Sequence, residues 1–228
     1  MSAIAESATI TSANPQASTT KDATISQDRL WRMSVAQYHL MEQAGILKED
    51  DRLELLEGLL IAKMPKNPPH RISTKLIRQA LEKIIVEGWY VDSQEPISLG
   101  DSEPEPDAVV VLGKTTDYRD RHPDARSVAI VIEVSDATLE SDRTVKQRIY
   151  ARAGIPIYWI LNLRDRQLEV YTEPLSEEGD RGIEPKYQQC QILREAESAI
   201  VSLKDETGGG THPNGNRVLG QISVADLF

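Results

Sequence analysis

Short apolar runs separated by polar and turn residues dominate the second half of the chain. Ala108–Leu112 and residues 128–134 are almost entirely aliphatic, which is typical of central strands that are buried on both faces. Residues 157–161 and 167–172 predict two more strands, joined by a short hairpin loop. Further strands are predicted at residues 89–91, 96–99, 187–192 and 200–203.

Apolar positions at helical spacing predict three helices. Ser34 is suited to cap a first helix over residues 35–44. Apolar residues recur every three or four positions over residues 70–88, which predicts the longest helix. A third helix is predicted over residues 142–153, closed by Gly154. Strands and helices in this order indicate an α/β (α+β) protein with a mixed central sheet flanked by helices.

The segments outside this pattern have their own compositions. Residues 1–26 are rich in Ser, Thr and Ala and are predicted to be a disordered tail, which leaves residues 27–228 as a single domain. In residues 51–64 the second half is mostly apolar and predicts a strand, with Gly58 as a turn or bulge. The Gly-rich residues 207–216 are predicted to be a mobile loop.

Composition restricts the class of protein. The chain has 228 residues, of which 39% are hydrophobic, and this is enough for one domain with a core. It has no apolar stretch long enough for a membrane span and no secretory signal pattern. Cys190 is the single cysteine, which excludes an intrachain disulfide. A protein of the reducing cytoplasm is the expectation, with Cys190 as a small buried hydrophobe.

The net charge of −10, from 36 acidic and 26 basic residues, argues against tight binding of nucleic acid through phosphates. Either the chain does not bind nucleic acid, or it binds through a local basic patch and a metal.

Two of the predicted central strands carry a carboxylate at one end. Asp107, preceded by Pro106, opens the strand at 108–112, and Glu133 lies near the end of the strand at 128–134. A carboxylate in an apolar strand is costly unless it is paired or binds a cation. Two of them side by side would raise each other's pKa unless a cation lies between them. Mg²⁺ or Mn²⁺, which prefer oxygen ligands, would meet this need.

Lys146 is the third candidate for the site. It precedes Tyr150 by one helical turn and lies at the border of the apolar stripe that Val145, Ile149 and Ala153 form. A lysine at this border can reach the end of an adjacent strand. Its ammonium would there stabilise negative charge on a metal-bound hydroxide or a pentavalent phosphate.

These residues resemble the PD-(D/E)XK nuclease signature, with Pro106-Asp107 followed by Ile132-Glu133 and then Lys146. The wider sequence resembles one branch more closely, the Uma2 (Uma-two) family of restriction endonuclease-like bacterial proteins. The matching segments are residues 52–58, 105–107, 132–136, 142–146 and 150–159, together with His70. The block Ala-Gly-Ile-Pro-Ile-Tyr-Trp at residues 153–159 is the most specific of them.

The resemblance implies a restriction-endonuclease-like core that hydrolyses DNA with Mg²⁺ (or Mn²⁺). Asp107 and Glu133 would be the metal ligands, and Glu54 resembles an additional acid that such folds contribute from an early element. The chain departs from the signature because Ser135 stands where the lysine is expected. Lys146 therefore resembles a lysine that has moved to the following helix.

Structural alternatives stand beside these roles. Asp107 is also suited to a turn, Glu133 to an edge position with an arginine partner, and Lys146 to a solvated helix face. Of Glu54 and Glu57, only one reaches the site if the segment is a strand, and we favour Glu54.

The histidines give no clear assignment from spacing. His70 matches a position that is typically histidine in the Uma2 family, and a capping or surface role is as well supported as chemistry. His39, His122 and His212 have no metal-like spacing along the chain, so they receive no role.

Three hypotheses follow for function. The first is a Mg²⁺-dependent endonuclease that hydrolyses DNA phosphodiester bonds. The second is a catalytically inactive interaction or scaffold protein that keeps the nuclease core, which the acidic charge favours. The third is a homodimer whose activity requires a partner or a separate specificity module.

Overall fold

A six-stranded mixed sheet forms the centre of the structure, a computed structural model that describes residues 29–175, 184–204 and 216–228. The predicted tail at residues 1–26 and residues 207–215 of the predicted loop lie outside the described residues. The strands in the described residues are β1 (Leu53–Leu56), β2 (Leu59–Ala62), β3 (Trp89–Asp92), β4 (Ala108–Leu112), β5 (Val128–Ser135), β6 (Ile157–Asn162), β7 (Gln167–Leu175), β8 (Lys186–Arg194), β9 (Ser198–Lys204) and β10 (Asn216–Ser223).

The helices are α1 (Val35–Gln43), α2 (Pro68–Glu82), α3 (Leu139–Ser141) and α4 (Gln147–Arg152). Between α3 and α4 the chain continues as one π-helical segment, Asp142–Lys146, called the π segment below. Within the described residues, no helix is both long enough and apolar enough to cross a membrane.

The strands of the central sheet follow the order β3-β4-β5-β6-β7-β8. Strands β5 and β6 run parallel, and the other neighbours run antiparallel. All eight residues of β5 are buried, as expected for an almost continuous apolar run in the middle of a sheet. Two separate hairpins, β1-β2 and β9-β10, lie outside the sheet.

The alternation of side chains along the strands divides the core into two layers. Ala108 and Val110 of β4 pack with Ile77 and Leu81 of α2 on one face of the sheet. Val109 and its neighbours on β5 and β6 pack on the other face, with residues of α4. Side chains at odd-numbered positions of β4, and of β5 from Ile130 onward, therefore point toward α4, and this rule also applies to Asp107 and Glu133 at the strand ends.

The structure differs from the predictions at several boundaries. The long helix ends at Glu82, and the apolar positions that follow, Ile84 and Ile85, pack on the core from a turn. Residues 96–99 form only isolated bridges, and β10 was not predicted because its residues alternate weakly. Cys190 is exposed, so its prediction as a buried hydrophobe was wrong.

Residues 51–64 form a hairpin rather than one strand, because Gly58 makes a turn with φ of +76°. A Cβ at this position would lie 2.7 Å from Arg32 Cβ and 2.9 Å from the carbonyl oxygen of Met33. We expect Gly58→Ala to lower the free energy of unfolding by about 1–3 kcal/mol, through a strained φ and a clash with backbone. Urea denaturation measures this change.

Gly45→Ala is the matched control for that substitution. Gly45 has φ of +68°, and nothing lies within 4 Å of an added Cβ. This variant therefore carries the cost of the φ angle alone. If Gly58→Ala and Gly45→Ala lost the same free energy of unfolding, the close packing of residues 32–33 on the Gly58 turn would be contradicted.

Candidate active site

Asp107 and Glu133 lie side by side where β4 begins and β5 ends. Ala108 pairs with Ile132 across the two antiparallel strands, so extending the register by one residue places Asp107 opposite Glu133. The backbone N–H of Val134 donates a hydrogen bond to Asp107 Oδ2 at 2.9 Å. Both acids are only 4% exposed. The structure thus brings together the two buried carboxylates on which the predicted metal site depends.

Lys146 places its ammonium group between two buried carboxylates. Its Nζ lies 3.0 Å from Glu133 Oε1 and 3.4 Å from Glu54 Oε2. Burial disfavours the charged amine, but the carboxylates of Glu133, Glu54 and Asp142 hold the pKa of Lys146 above its usual value. The amine is therefore a fixed positive charge in this arrangement, suited to stabilising an anion and unsuited to accepting a proton.

The π segment turns both Asp142 and Lys146 toward the interior, where they are 2% and 8% exposed. Such segments occur often at functional sites, because the additional residue changes the direction of the side chains. Ser135 Oγ and Thr138 Oγ1 donate hydrogen bonds to Asp142 Oδ2 at 2.6 and 2.7 Å. Ser135, which replaces the lysine of the signature, therefore fixes the beginning of the π segment.

Glu54 is the acid of the β1-β2 hairpin that reaches this site. The backbone N–H of Glu105 donates to Glu54 Oε2 at 3.3 Å, and Glu54 is 6% exposed. Glu57 instead accepts hydrogen bonds from Arg148 at 2.7 and 2.8 Å and from Arg152 at 2.7 Å. The two acids face different partners, because Glu54 belongs to a strand and Glu57 to the turn after it.

His70 and Lys66 hold Asp107 from the opposite side. His70 Nε2 lies 3.1 Å from Asp107 Oδ2, and Lys66 Nζ lies 3.1 Å from Oδ1. Burial raises the pKa of Asp107, but His70, Lys66 and the N–H of Val134 outweigh it and hold the pKa below its usual value. The backbone of His70 is in turn fixed at the start of α2, where Asn67 caps the helix.

Tyr150 completes the environment of Glu133. Its hydroxyl donates a hydrogen bond to Glu133 Oε1 at 2.6 Å. Burial raises the pKa of Glu133 to about 8, with Lys146 opposing the rise and the carboxylates of Asp142, Asp107 and Glu54 adding to it. Glu133 therefore lacks enough positive charge around it to ionise as readily as Asp107 does.

A cleft of about 380 Å³ opens over these side chains. Its lining contains the imidazole of His70, the ammonium groups of Lys63, Lys66 and Lys146, and the carboxylates of Glu54, Asp107, Glu133 and Asp142. The donor set fits a hard divalent cation, because carboxylates from three chain segments line the cleft. Burial, and after it the neighbouring acids, raise the pKa of Glu133, and a cation would relieve both effects. Asp107, Glu133 and Glu54 are the residues that could hold such an ion.

The raised pKa of Glu133 leads to a pH dependence of stability in the metal-free protein. Between its unfolded value near 4.5 and about 8, the folded chain binds one proton more than the unfolded chain at this residue. The stability that this proton contributes is fully present below about pH 4.5 and is lost as the pH rises to about 8. Within this window the unfolding equilibrium constant increases by up to about tenfold per pH unit.

Glu133→Gln keeps the hydrogen-bond acceptor without the ionisation. We expect the stability of this variant, relative to the original chain, to increase from about pH 5 to about pH 8 and to level off above that pH. Urea denaturation in the presence of a chelator measures the difference. A difference that is constant across this range would show that Glu133 ionises at an ordinary pKa in the folded state.

Sequence reasoning missed the residues that surround the carboxylates. Lys66 lies in a loop without periodicity, and the hydroxyl of Tyr150 was treated only as part of a helix. The match of His70 to a family position was the one signal that could have identified the Asp107 contact. Lys146 was predicted, but the π segment that carries it gives no pattern distinct from an α-helix.

Comparison with known proteins agrees with this fold. The family described as "Uma2: Putative restriction endonuclease" matches residues 35–205. Among solved structures, the chain is similar to the "crystal structure of a putative nuclease belonging to DUF820" from Anabaena variabilis ATCC 29413. The identity is 15%, the TM-score is 0.54, and the alignment covers 83% of this chain and 96% of that chain. At this identity, the likeness shows the fold alone.

No curated protein matches the sequence. The family match extends over most of the chain and includes every residue of the site described above. The chain therefore belongs to the Uma2 family of restriction endonuclease-like proteins.

Proposed function

We propose that this protein is a divalent-metal-dependent endonuclease that hydrolyses DNA phosphodiester bonds. The observation that carries the proposal is the convergence of Glu54, Asp107, Glu133 and Lys146 in one cleft. These residues come from a hairpin, two strands and the π segment, and core packing alone does not require buried charges from four elements in one place. Membership of a restriction endonuclease-like family gives the same reaction class.

Asp107 and Glu133 are proposed as ligands of Mg²⁺ or Mn²⁺. Both hydrogen bonds to the Glu133 carboxylate go to Oε1, so Oε2 is the oxygen that it would offer. Asp107 would offer Oδ1 once the half-exposed side chain of Lys66 moves aside. A bound Mg²⁺ would supply Lewis acidity and an activated water.

Lys146 and Glu54 are proposed to assist the reaction as a pair. The Lys146 ammonium would stabilise the negative charge that develops on the phosphate in the transition state. Glu54 Oε2, at 3.4 Å from Nζ, keeps this ammonium charged and directed into the cleft. Tyr150 holds Glu133 from the interior, so a change of protonation at Glu133 need not displace its carboxylate.

DNA is proposed as the substrate despite the net charge of −10. Lys63 and Lys66 line the cleft and are partly exposed, although they pair with Glu105 and Asp107 at 2.6 and 3.1 Å. These lysines would form the local basic patch that a phosphate backbone needs once the metal neutralises the acids. The proposal includes a cytoplasmic location and a homodimer. Many nucleases cut both strands as dimers, with one site for each strand, and elution as a monomer in sizing chromatography would count against the dimer.

Plasmid nicking tests the proposed activity. Purified full-length protein is incubated with supercoiled plasmid in Mg²⁺, in Mn²⁺ and in chelator. The proposal expects relaxed plasmid with either metal and none with chelator. Absence of nicking with both metals, in protein that binds them, would refute endonuclease activity on this DNA.

A scaffold protein without catalysis is the second candidate. The observation that favours it is the neutralisation of the buried acids by Lys66, His70 and Lys146, which leaves little unbalanced negative charge for a metal. Calorimetry discriminates the two. A scaffold would bind neither Mg²⁺ nor Mn²⁺ at millimolar concentration, whereas the endonuclease would bind at least one of them.

A further inference from the structure

A second group of potential ligands, apart from the cleft, consists of His39, Glu103 and His122. Their ligand atoms all lie within 4.8 Å of one another. None of the three residues lines the cleft. The group joins α1, the segment before β4 and the loop between β4 and β5, so separations along the chain give no metal motif.

Both imidazoles direct Nε2 toward the same carboxylate oxygen. His39 Nε2 lies 2.7 Å from Glu103 Oε1, and His122 Nε2 lies 3.9 Å from it. The two rings are 5.9 Å apart between centroids and tilted by 57°. The three ligand atoms thus approach a common point from different directions.

Hydrogen bonds hold the Glu103 carboxylate and the backbone beside His122 in place. Ser98 Oγ donates to Glu103 Oε2 at 2.7 Å, which leaves Oε1 directed at the histidines. The backbone N–H of Glu103 donates to the carbonyl of Leu55 at 2.7 Å, and that of Ser98 donates to Pro123 beside His122 at 2.9 Å. Such partners behind the ligands are typical of metal sites, where they orient the donors.

The surroundings of Glu103 also favour a bound cation. Glu103 is 2% exposed, and in the part of the chain that the structure describes no lysine or arginine forms an ion pair with it. A buried carboxylate without a permanent counter-charge is costly. A divalent ion would supply that charge and use both nitrogens.

We propose that His39, Glu103 and His122 bind Zn²⁺. Two imidazoles and one carboxylate form a donor set typical of zinc with a fourth position left to water. Neighbouring ligand atoms around tetrahedral zinc are roughly 3.3 Å apart, and the observed separations of 2.7 and 3.9 Å lie on either side of this value. Small side-chain rotations would complete the site, and the ion would tie α1 to the two segments beneath it.

Zinc titration of the full-length protein tests the site. Thermal unfolding is followed with Zn²⁺, and visible absorption is recorded with Co²⁺ as the spectroscopic substitute. Every chain in this titration, the original one included, carries Asp107→Asn, which removes a proposed metal ligand of the cleft. The variants are His122→Gln and His39→Gln, and His70→Gln is the matched control because its imidazole lies in the cleft. Free Zn²⁺ at 100 times its Kd would reduce the unfolding equilibrium constant by about 100-fold.

We expect the original chain and His70→Gln to show the zinc-induced rise in Tm and the Co²⁺ absorption bands. His122→Gln and His39→Gln are expected to lose both. Since His122 and His39 are 40% and 34% exposed in their side chains, the metal-free variants should fold with Tm close to the original. Zinc binding that is undiminished in both variants, or absent in the original chain, would overturn the proposal, whatever the outcome of the nicking experiment.

Discussion

Lys146→Met is expected to reduce metal-dependent nicking by about 10²–10³-fold. The substitution keeps the length of the side chain and removes the ammonium that lies 3.0 Å from Glu133 Oε1 and 3.4 Å from Glu54 Oε2. A transition-state charge on phosphate would then lack its fixed counter-charge. Initial rates of plasmid relaxation, per mole of folded protein, give the measurement.

The same substitution leaves the buried carboxylates of Glu54 and Glu133 without their ammonium counter-charge. Removing one member of a buried ion pair costs about 3–5 kcal/mol. Urea denaturation with and without Mg²⁺ separates this effect from catalysis. Lys75→Met, an exposed lysine on α2 outside the cleft, is the control. A folded Lys146→Met protein that nicks as fast as the control would contradict the role given to Lys146.

Asp107→Asn is expected to weaken Mn²⁺ binding by about 10–100-fold and to abolish nicking. Asparagine has nearly the shape of aspartate but lacks the charge that a divalent ion requires. The side chain should stay in place, because the N–H of Val134 donates a hydrogen bond to Asp107 Oδ2 and the amide oxygen of asparagine can accept the same bond. Calorimetric titration with Mn²⁺ measures the affinity.

Asp92→Asn, at the end of β3 and outside the cleft lining, is the matched control. It should bind Mn²⁺ as the original chain does. Removing the charge of Asp107 also frees Lys66 and His70, so the thermal stability of both variants is recorded in chelator. If Asp107→Asn and Asp92→Asn had equal affinity for Mn²⁺, Asp107 would not be a ligand of the bound metal.

The central part of the fold was accessible from the sequence because it depends on burial. The aliphatic runs at 108–112 and 128–134 allow few alternatives to central strands, and the structure has β4 and β5 there. Asp107 directly precedes the first of these runs and Glu133 is near the end of the second, so their places at the strand ends follow from the sequence. The family resemblance, which is confirmed, suggested the proposed reaction class, and burial alone gives no such indication.

Contacts across the cleft were not accessible in the same way. The Lys66–Asp107 and His70–Asp107 pairs depend on how the loop before α2 meets the edge of the sheet, and no local pattern encodes this approach. The hydrogen bonds of the π segment join residues five apart instead of four. The spacing of apolar residues in five positions does not distinguish these two patterns. Packing of distant segments also assembles His39, Glu103 and His122, whose spacing along the chain predicts nothing.

A crystal structure of the protein soaked with Mn²⁺ would show directly whether the cleft holds a metal. We expect an anomalous peak between the carboxylates of Asp107 and Glu133, with the Lys146 amine within a few ångströms and Lys66 moved away from Asp107 Oδ1. A fully soaked crystal could instead show no peak in the cleft, with Lys66 and His70 still bound to Asp107. This result would contradict a metal-dependent active site at this position.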